Sequence, residues 1–146
     1  MLDALGQQTF EAGEHPQAAA AVKIANNFML GCAIENMGEG LSLVEKLGVK
    51  PELFFEVMTQ GLFAAPAYKV YGRMIVDANW DSHGATAVIG RKDADLALEA
   101  AEVAGVPLPS IHAWRDYLDK AIDRGEGHLD WAVMAKEQAR ASGLEK

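Results

Sequence analysis

Lys23, Asn26 and Asn27 are the residues whose types and spacing most suggest chemistry. Between Ala18 and Ile34 the sequence reads AAAAVKIANNFMLGCAI, and these three are its only polar side chains apart from the soft thiol of Cys32. At i, i+3 and i+4 they share one face of a helix. A helix apolar nearly all round reads as buried, and a lysine within it must be paired, reach water or react. A lysine in a low-dielectric pocket has its charged form disfavoured, which makes it a competent base for a substrate hydroxyl. Asn27 follows about 6 Å further along the same face, near enough for both to touch one small molecule.

The elements that must position this patch read as helices throughout. Pro16 suits a first helical turn, and the pattern runs from there to Leu47, with Gly48 as its stop. Gly31, Gly38 and Gly40 weaken the long helix and mark close packing or a bend. Pro51 opens a second helix, PELFFEVMTQ, ended by Gly61, and a third covers Ala67 to Val76 after Pro66. The segment 77–84, DANWDSHG, reads as a loop. A fourth helix is expected over Thr86 to Ala104, closed by Gly105 and the Pro107-Leu108-Pro109 segment. The fifth, Ser110 to Arg124, spaces Ile111, Trp114, Leu118, Ala121 and Ile122 on one face. Gly125-Glu126-Gly127 is a turn, and Asp130 caps a last helix from Trp131 to Ala141. No strand alternation, repeat or low-complexity tract appears, so the expected fold class is all-α.

Composition narrows the function classes. A chain of 146 residues, 50% hydrophobic and 23% charged, suits one globular domain over 1–146. A net charge of -8 without any Lys/Arg run argues against a nucleic-acid surface. Cys32, the one cysteine, allows no internal disulfide and reads as core filler in a reducing compartment. The opening MLDALGQQTF has neither the basic nor the apolar region of a signal peptide, and 18–34 is short and polar-centred for a membrane span. A cytoplasmic protein without membrane or nucleic-acid partners is therefore expected. There is no GxGxxG, Walker loop, GxSxG, HExxH or paired CxxC, and the histidines at 15, 83, 112 and 128 are scattered. No metal is expected.

Five landmarks in order then suggest a family. They are Lys23-Ile24-Ala25-Asn26-Asn27; the glycine-bounded run from Gly61 through Pro66 to Gly72; Arg91-Lys92-Asp93; Gly105-Val106-Pro107-Leu108-Pro109; and Gly127-His128-Leu129-Asp130-Trp131. In this order they resemble the C-terminal helical domain of the β-hydroxyacid dehydrogenases, 3-hydroxyisobutyrate dehydrogenase among them, with 6-phosphogluconate dehydrogenase more distant. The resemblance covers essentially the whole chain. It implies a helical bundle, like the C-terminal domain of 6-phosphogluconate dehydrogenase, built around one long buried helix. It also implies hydride transfer between a small 3-hydroxy acid and NAD or NADP, with a carboxylate substrate and a homodimer.

By the same resemblance Lys23 is the catalytic acid/base, Asn27 binds and orients substrate, and Asn26 is its more structural neighbour. Lys92 closes over cofactor and substrate. The sequence departs from the family at Glu14, Gln17 and Ala19, where glycines are common, although Gly13-Glu14-His15-Pro16-Gln17-Ala18-Ala19 fits the GExPxxA variant. A phenylalanine usual before the Lys-Asp pair is missing, with Ala85 nearest. The family's N-terminal Rossmann domain is also missing, so this chain alone is expected to be inactive.

Blander readings stand beside these. Lys23 could snorkel from a helix edge beside a hydrogen-bonded amide, the stronger reading without the downstream landmarks. Lys92-Asp93 could be an ordinary charged helix start. Arg91 reads as solvated, Trp114 and Trp131 as packing, and Tyr68, Tyr71 and Phe63 as core or cleft lining. Glu35, Glu39 and Glu45 read as the wet flank of the long helix, with Glu35 able to partner a buried cation. As a whole, the chain could instead be a non-catalytic helical interaction module. An imine reductase on the same scaffold is disfavoured by Lys23.

Overall fold

Three prolines and a few glycines set the helix boundaries. In the computed structural model, which describes residues 8–81 and 84–144, six helices follow in order. They are α1 (Pro16–Lys46), α2 (Pro51–Gln60), α3 (Pro66–Val76), α4 (Ala87–Ala104), α5 (Ile111–Asp123) and α6 (Val133–Ala141). Pro16, Pro51 and Pro66 each begin a helix, where the missing N–H costs nothing and φ is preset. Thr86 caps α4 by accepting from the Ile89 N–H, and Gly105 ends it in the left-handed region at φ 66°. The signal-peptide reading of residues 1–7 and the loop reading at Ser82 and His83 lie outside the described residues.

The all-α expectation holds, with no strand among the described residues. α6 starts two residues later than expected, because Asp130, Trp131 and Ala132 form tight turns. The Ala132 N–H donates to Asp130 Oδ1 at 3.0 Å, and the Val133 N–H donates to the Asp130 carbonyl at 2.9 Å. No helix among the described residues is long and apolar enough to cross a membrane.

α1 is the axis, about 46 Å long at 1.5 Å per residue, and all five other helices pack along it. Its glycines are contact points. A Cβ on Gly31 would lie 2.7 Å from Trp114 Cε2, and one on Gly38 would lie 2.9 Å from the Ala135 Cβ. That explains why α1 runs unbroken through residues of poor helix propensity: tertiary packing outweighs the ~1 kcal/mol cost of each glycine. The core centres on Ile34, Leu41, Ile111, Leu118 and Met134, with Trp114 and Trp131 edge-to-face at 6.3 Å.

Two expectations about α1 are corrected. Residues 18–34 do not form a buried segment: the first fully buried residue of α1 is Gly31, while Lys23 and Asn26 are exposed, Val22 is 62% exposed and Met29 is 67% exposed. An all-round apolar helix needs cover on every side, and the other five helices gather mainly around its C-terminal half. Conversely, Glu35 is not on a wet flank. It is buried, at i+4 from Gly31 and i−3 from Gly38, on the stripe where α5 and α6 approach most closely.

Candidate functional site

The first turns of α4 face the exposed half of α1, and the crossing is fixed by one hydrogen bond. Asn27 Nδ2 donates to Asp93 Oδ2 at 2.8 Å, joining residues 66 positions apart. An ionised carboxylate only accepts, so Asp93 determines that the Asn27 amide presents its NH2 to α4 and leaves its own Oδ1 available elsewhere. The second Asp93 oxygen lies 2.9 Å from Lys92 Nζ. Asp93 is 14% exposed whereas Lys92 is 61% exposed, so the aspartate sits in the seam and the lysine at its rim. Consecutive helical residues point about 100° apart, which separates the two roles.

Above this hydrogen bond lies a small cleft of about 60 Å³, lined by Lys23, Ile24 and Asn27 of α1 and Lys92, Asp93 and Leu96 of α4. Three of the four residues singled out in the sequence, Lys23, Asn27 and Lys92, therefore meet at one place. Asn26 does not line the cleft and is exposed. The enclosed apolar pocket expected around Lys23 is not formed by these helices, because nothing in them covers that side of α1.

α4 is held by a charge network built on Arg91, which the sequence reading took as solvated. Arg91 Nε lies 2.5 Å from Asp119 Oδ1, its guanidinium also pairs with Asp95, and Arg115 bridges Asp95 and Asp119 at 3.1 and 3.3 Å. The network ties the turn carrying Lys92 and Asp93 to α5. Networks of this kind, with planar guanidinium forks, hold geometry better than isolated surface pairs.

The aromatics read as possible cleft lining lie elsewhere. Phe63 and Tyr68 pair at 5.0 Å beside a separate apolar groove of about 470 Å³ between α1 and α2. The Tyr71 hydroxyl accepts from Trp131 Nε1 at 3.0 Å, and burial pushes that phenol up despite the hydrogen bond. Trp114 and Trp131 are core, as expected. Asp93 is the site residue the sequence reading undervalued: it entered only as the neighbour of Lys92, with no role of its own, and its signal is its place one residue after Lys92, on the face turned to α1.

The fit to a nicotinamide dinucleotide can be judged from size. Sites for drug-sized molecules run to roughly 300–1,000 Å³, and the cleft is far smaller. Around Lys23, therefore, these helices do not enclose space for a whole dinucleotide.

The described helices thus present Lys23 and an oriented Asn27 on one face of α1, with Lys92 at the rim. The chain belongs to the family described as NAD-binding of NADP-dependent 3-hydroxyisobutyrate dehydrogenase, whose family model matches residues 18–137. It is similar to the uncharacterized oxidoreductase YfjR of Bacillus subtilis (strain 168), 35% identical over 136 residues, covering 93% of this chain and 47% of that protein. It is also similar to 3-hydroxyisobutyrate dehydrogenase of Pseudomonas aeruginosa, 30% identical over 138 residues, covering 84% and 46%. Among solved structures, 3-hydroxyisobutyrate dehydrogenase from Salmonella typhimurium superposes with a TM-score of 0.84 at 22% identity, covering 92% of this chain and 47% of that one. That likeness shows the shared fold. The chain spans just under half the length of these relatives.

Proposed function

We propose that the chain is the substrate-binding and catalytic-lysine domain of an NAD(P)-dependent oxidoreductase that interconverts a small 3-hydroxy acid and its semialdehyde or oxo acid. The observation that carries this reading is the convergence of Lys23, Asn27 and Lys92 on one cleft, with Asn27 oriented by Asp93. In oxidation, Lys23 Nζ takes the substrate hydroxyl proton as hydride leaves the same carbon, and in reduction it returns that proton to the forming alkoxide. The Asn27 carboxamide holds the substrate so that this hydroxyl faces Nζ. Lys92, exposed and tethered to Asp93, sits at the mouth as a cation for the substrate carboxylate or a cofactor phosphate. Bound NAD or NADP supplies the hydride acceptor.

A Rossmann domain N-terminal to this chain is the proposed partner that covers the first half of α1. The exposed Val22 and Met29 in the first half of α1 support that cover. A homodimer is proposed on the exposed apolar side chains of α2 and the α2–α3 turn, Leu53, Val57 and Leu62. The relatives named for 3-hydroxyisobutyrate, and the 2-(hydroxymethyl)glutarate dehydrogenase of Eubacterium barkeri at 28% identity, all carry hydroxy-acid names and support the substrate class. A cytoplasmic setting fits the proposal.

The test is a panel of 3-hydroxy acids with NAD+ and NADP+, assayed by nicotinamide reduction in the full-length protein that contains this chain. Turnover of at least one 3-hydroxy acid is expected, while the 146-residue chain alone should give none. Absence of turnover across the panel, with folded protein and bound cofactor, would favour the interaction-module reading.

A further inference from the structure

The seam between α1 and α5 contains a carboxyl group that the proposed reaction does not use. Glu35 lies two turns after Asn27 on α1 and is 4% exposed, and neither of its carboxyl oxygens has a hydrogen-bond partner. Trp114, which comes onto α1 from α5 at Gly31, has a buried Nε1 that is also unpartnered. Glu35 lines a cavity of about 120 Å³ together with Cys32, Asn36 and Glu39 from α1, Ala113 from α5 and Ser110 just before α5. Cys32 Sγ lies 3.6 Å from Ser110 Oγ across it. A charge at such a position, without a donor, costs several kcal/mol, whereas a neutral acid does not (roughly, by desolvation).

The charged groups around it favour the neutral form. Burial is the main cause, and Glu39, one turn along α1, opposes a second negative charge. Lys120 of α5 acts the other way but more weakly, and the group is pushed up to about 8. Tyr117 of α5 is itself raised, by burial first and then by Glu35, Glu39 and Glu137. Glu137 of α6 is engaged by Arg124 and Arg140, so neither of those arginines is directed at Glu35.

We infer that Glu35 is a proton switch in the α1–α5 seam: neutral, it lets the seam close, and ionised, it opens the seam at the Cys32–Ser110 cavity and loosens the stretch of α1 that carries Asn27. The sign follows from linkage. In the unfolded chain the carboxyl ionises near 4.5, so between there and about 8 the folded state holds a proton that the unfolded state has lost. Stability from this group is complete below the lower value and declines as pH rises through the higher one.

The test compares the whole chain with Glu35→Gln, which keeps the shape without the ionisation. In urea titrations from pH 5 to 8, the folding constant of the native chain should fall close to tenfold per pH unit relative to the variant. Labelling of Cys32 by a maleimide should rise more steeply above pH 8 in the native chain than in the variant, since ordinary thiol chemistry is common to both. Parallel stability and labelling curves in the two chains would overturn the inference. A carbon-13 NMR titration of the native Glu35 carboxyl is independent of the variant's folding. A midpoint near 8 supports the switch, and one in the ordinary carboxylate range refutes it.

Discussion

Removal of either side chain in the Asn27–Asp93 hydrogen bond should expose how much of the site's geometry rests on it. The bond is 2.8 Å long, links α1 to α4, and has an ionised acceptor that is 14% exposed. Hydrogen bonds to charged groups contribute about 1.5–3 kcal/mol, and the half-buried Asn27 places this one toward the lower end. The assay is a double-mutant cycle of Asn27→Ala and Asp93→Ala, followed by urea unfolding of the 146-residue chain. A coupling energy of roughly 1.5 kcal/mol is expected, and Asp93→Asn, which keeps a neutral acceptor, should retain about half of it. Lys92→Ala serves as the control. Although its ammonium is 2.9 Å from Asp93, it is 61% exposed, and coupling of that pair should stay under about 0.5 kcal/mol. A coupling between Asn27 and Asp93 within ~0.3 kcal/mol of zero would refute the claim that Asp93 orients the asparagine.

Two further outcomes test the scaffold. Gly90→Ala should destabilise by about 1–3 kcal/mol in thermal or urea unfolding, because its Cβ would lie 2.7 Å from Trp131 Cε3 and 2.9 Å from the Trp131 Cβ. Lys136 and Arg140 of α6 pair with Glu126 at 2.7 Å each, and this cluster should show itself at acid pH. Hydrogen bonding from Arg140, then from Lys136, holds Glu126 down to about 2 against an ordinary 4.5, so its contribution is present above 4.5 and is lost as pH falls toward 2. Glu126→Gln should remove that acid-side slope, worth about 1–2 kcal/mol after allowance for solvent at the rim, and an unchanged slope in acid urea titrations would exclude it.

The helical frame was legible because its punctuation is chemical. Pro16, Pro51 and Pro66 start α1, α2 and α3, while Gly48, Gly61 and Gly105 follow the ends of α1, α2 and α4, and these constraints act through local backbone sterics. The meeting of Lys23, Asn27 and Lys92 was legible only through the ordered landmarks, since spacing along one helix carries no information about which later helix faces it. Burial along α1 was misread in both directions for a common reason. Apolar residues state that a face needs cover, not where the cover comes from, so Val22 and Met29 stand exposed in this chain. Glu35 reads as wet by residue type, yet the stripe Gly31, Glu35, Gly38, Ser42 has the 4-3-4 spacing of a close helix seam. Small residues at that spacing were the available signal for its burial. Asp93 was undervalued because the acidic start of a helix has an ordinary electrostatic explanation, and its partner is 66 residues away.

The most direct test of the proposed chemistry is kcat for a 3-hydroxy acid in the full-length enzyme with Lys23→Ala, measured at saturating substrate and cofactor. Loss of a positioned acid/base should lower kcat by about 10²–10⁴-fold, with the folded structure and cofactor affinity retained. A kcat within a fewfold of the native enzyme would contradict the account, and leave Lys23 as an exposed lysine on the rim of a binding cleft.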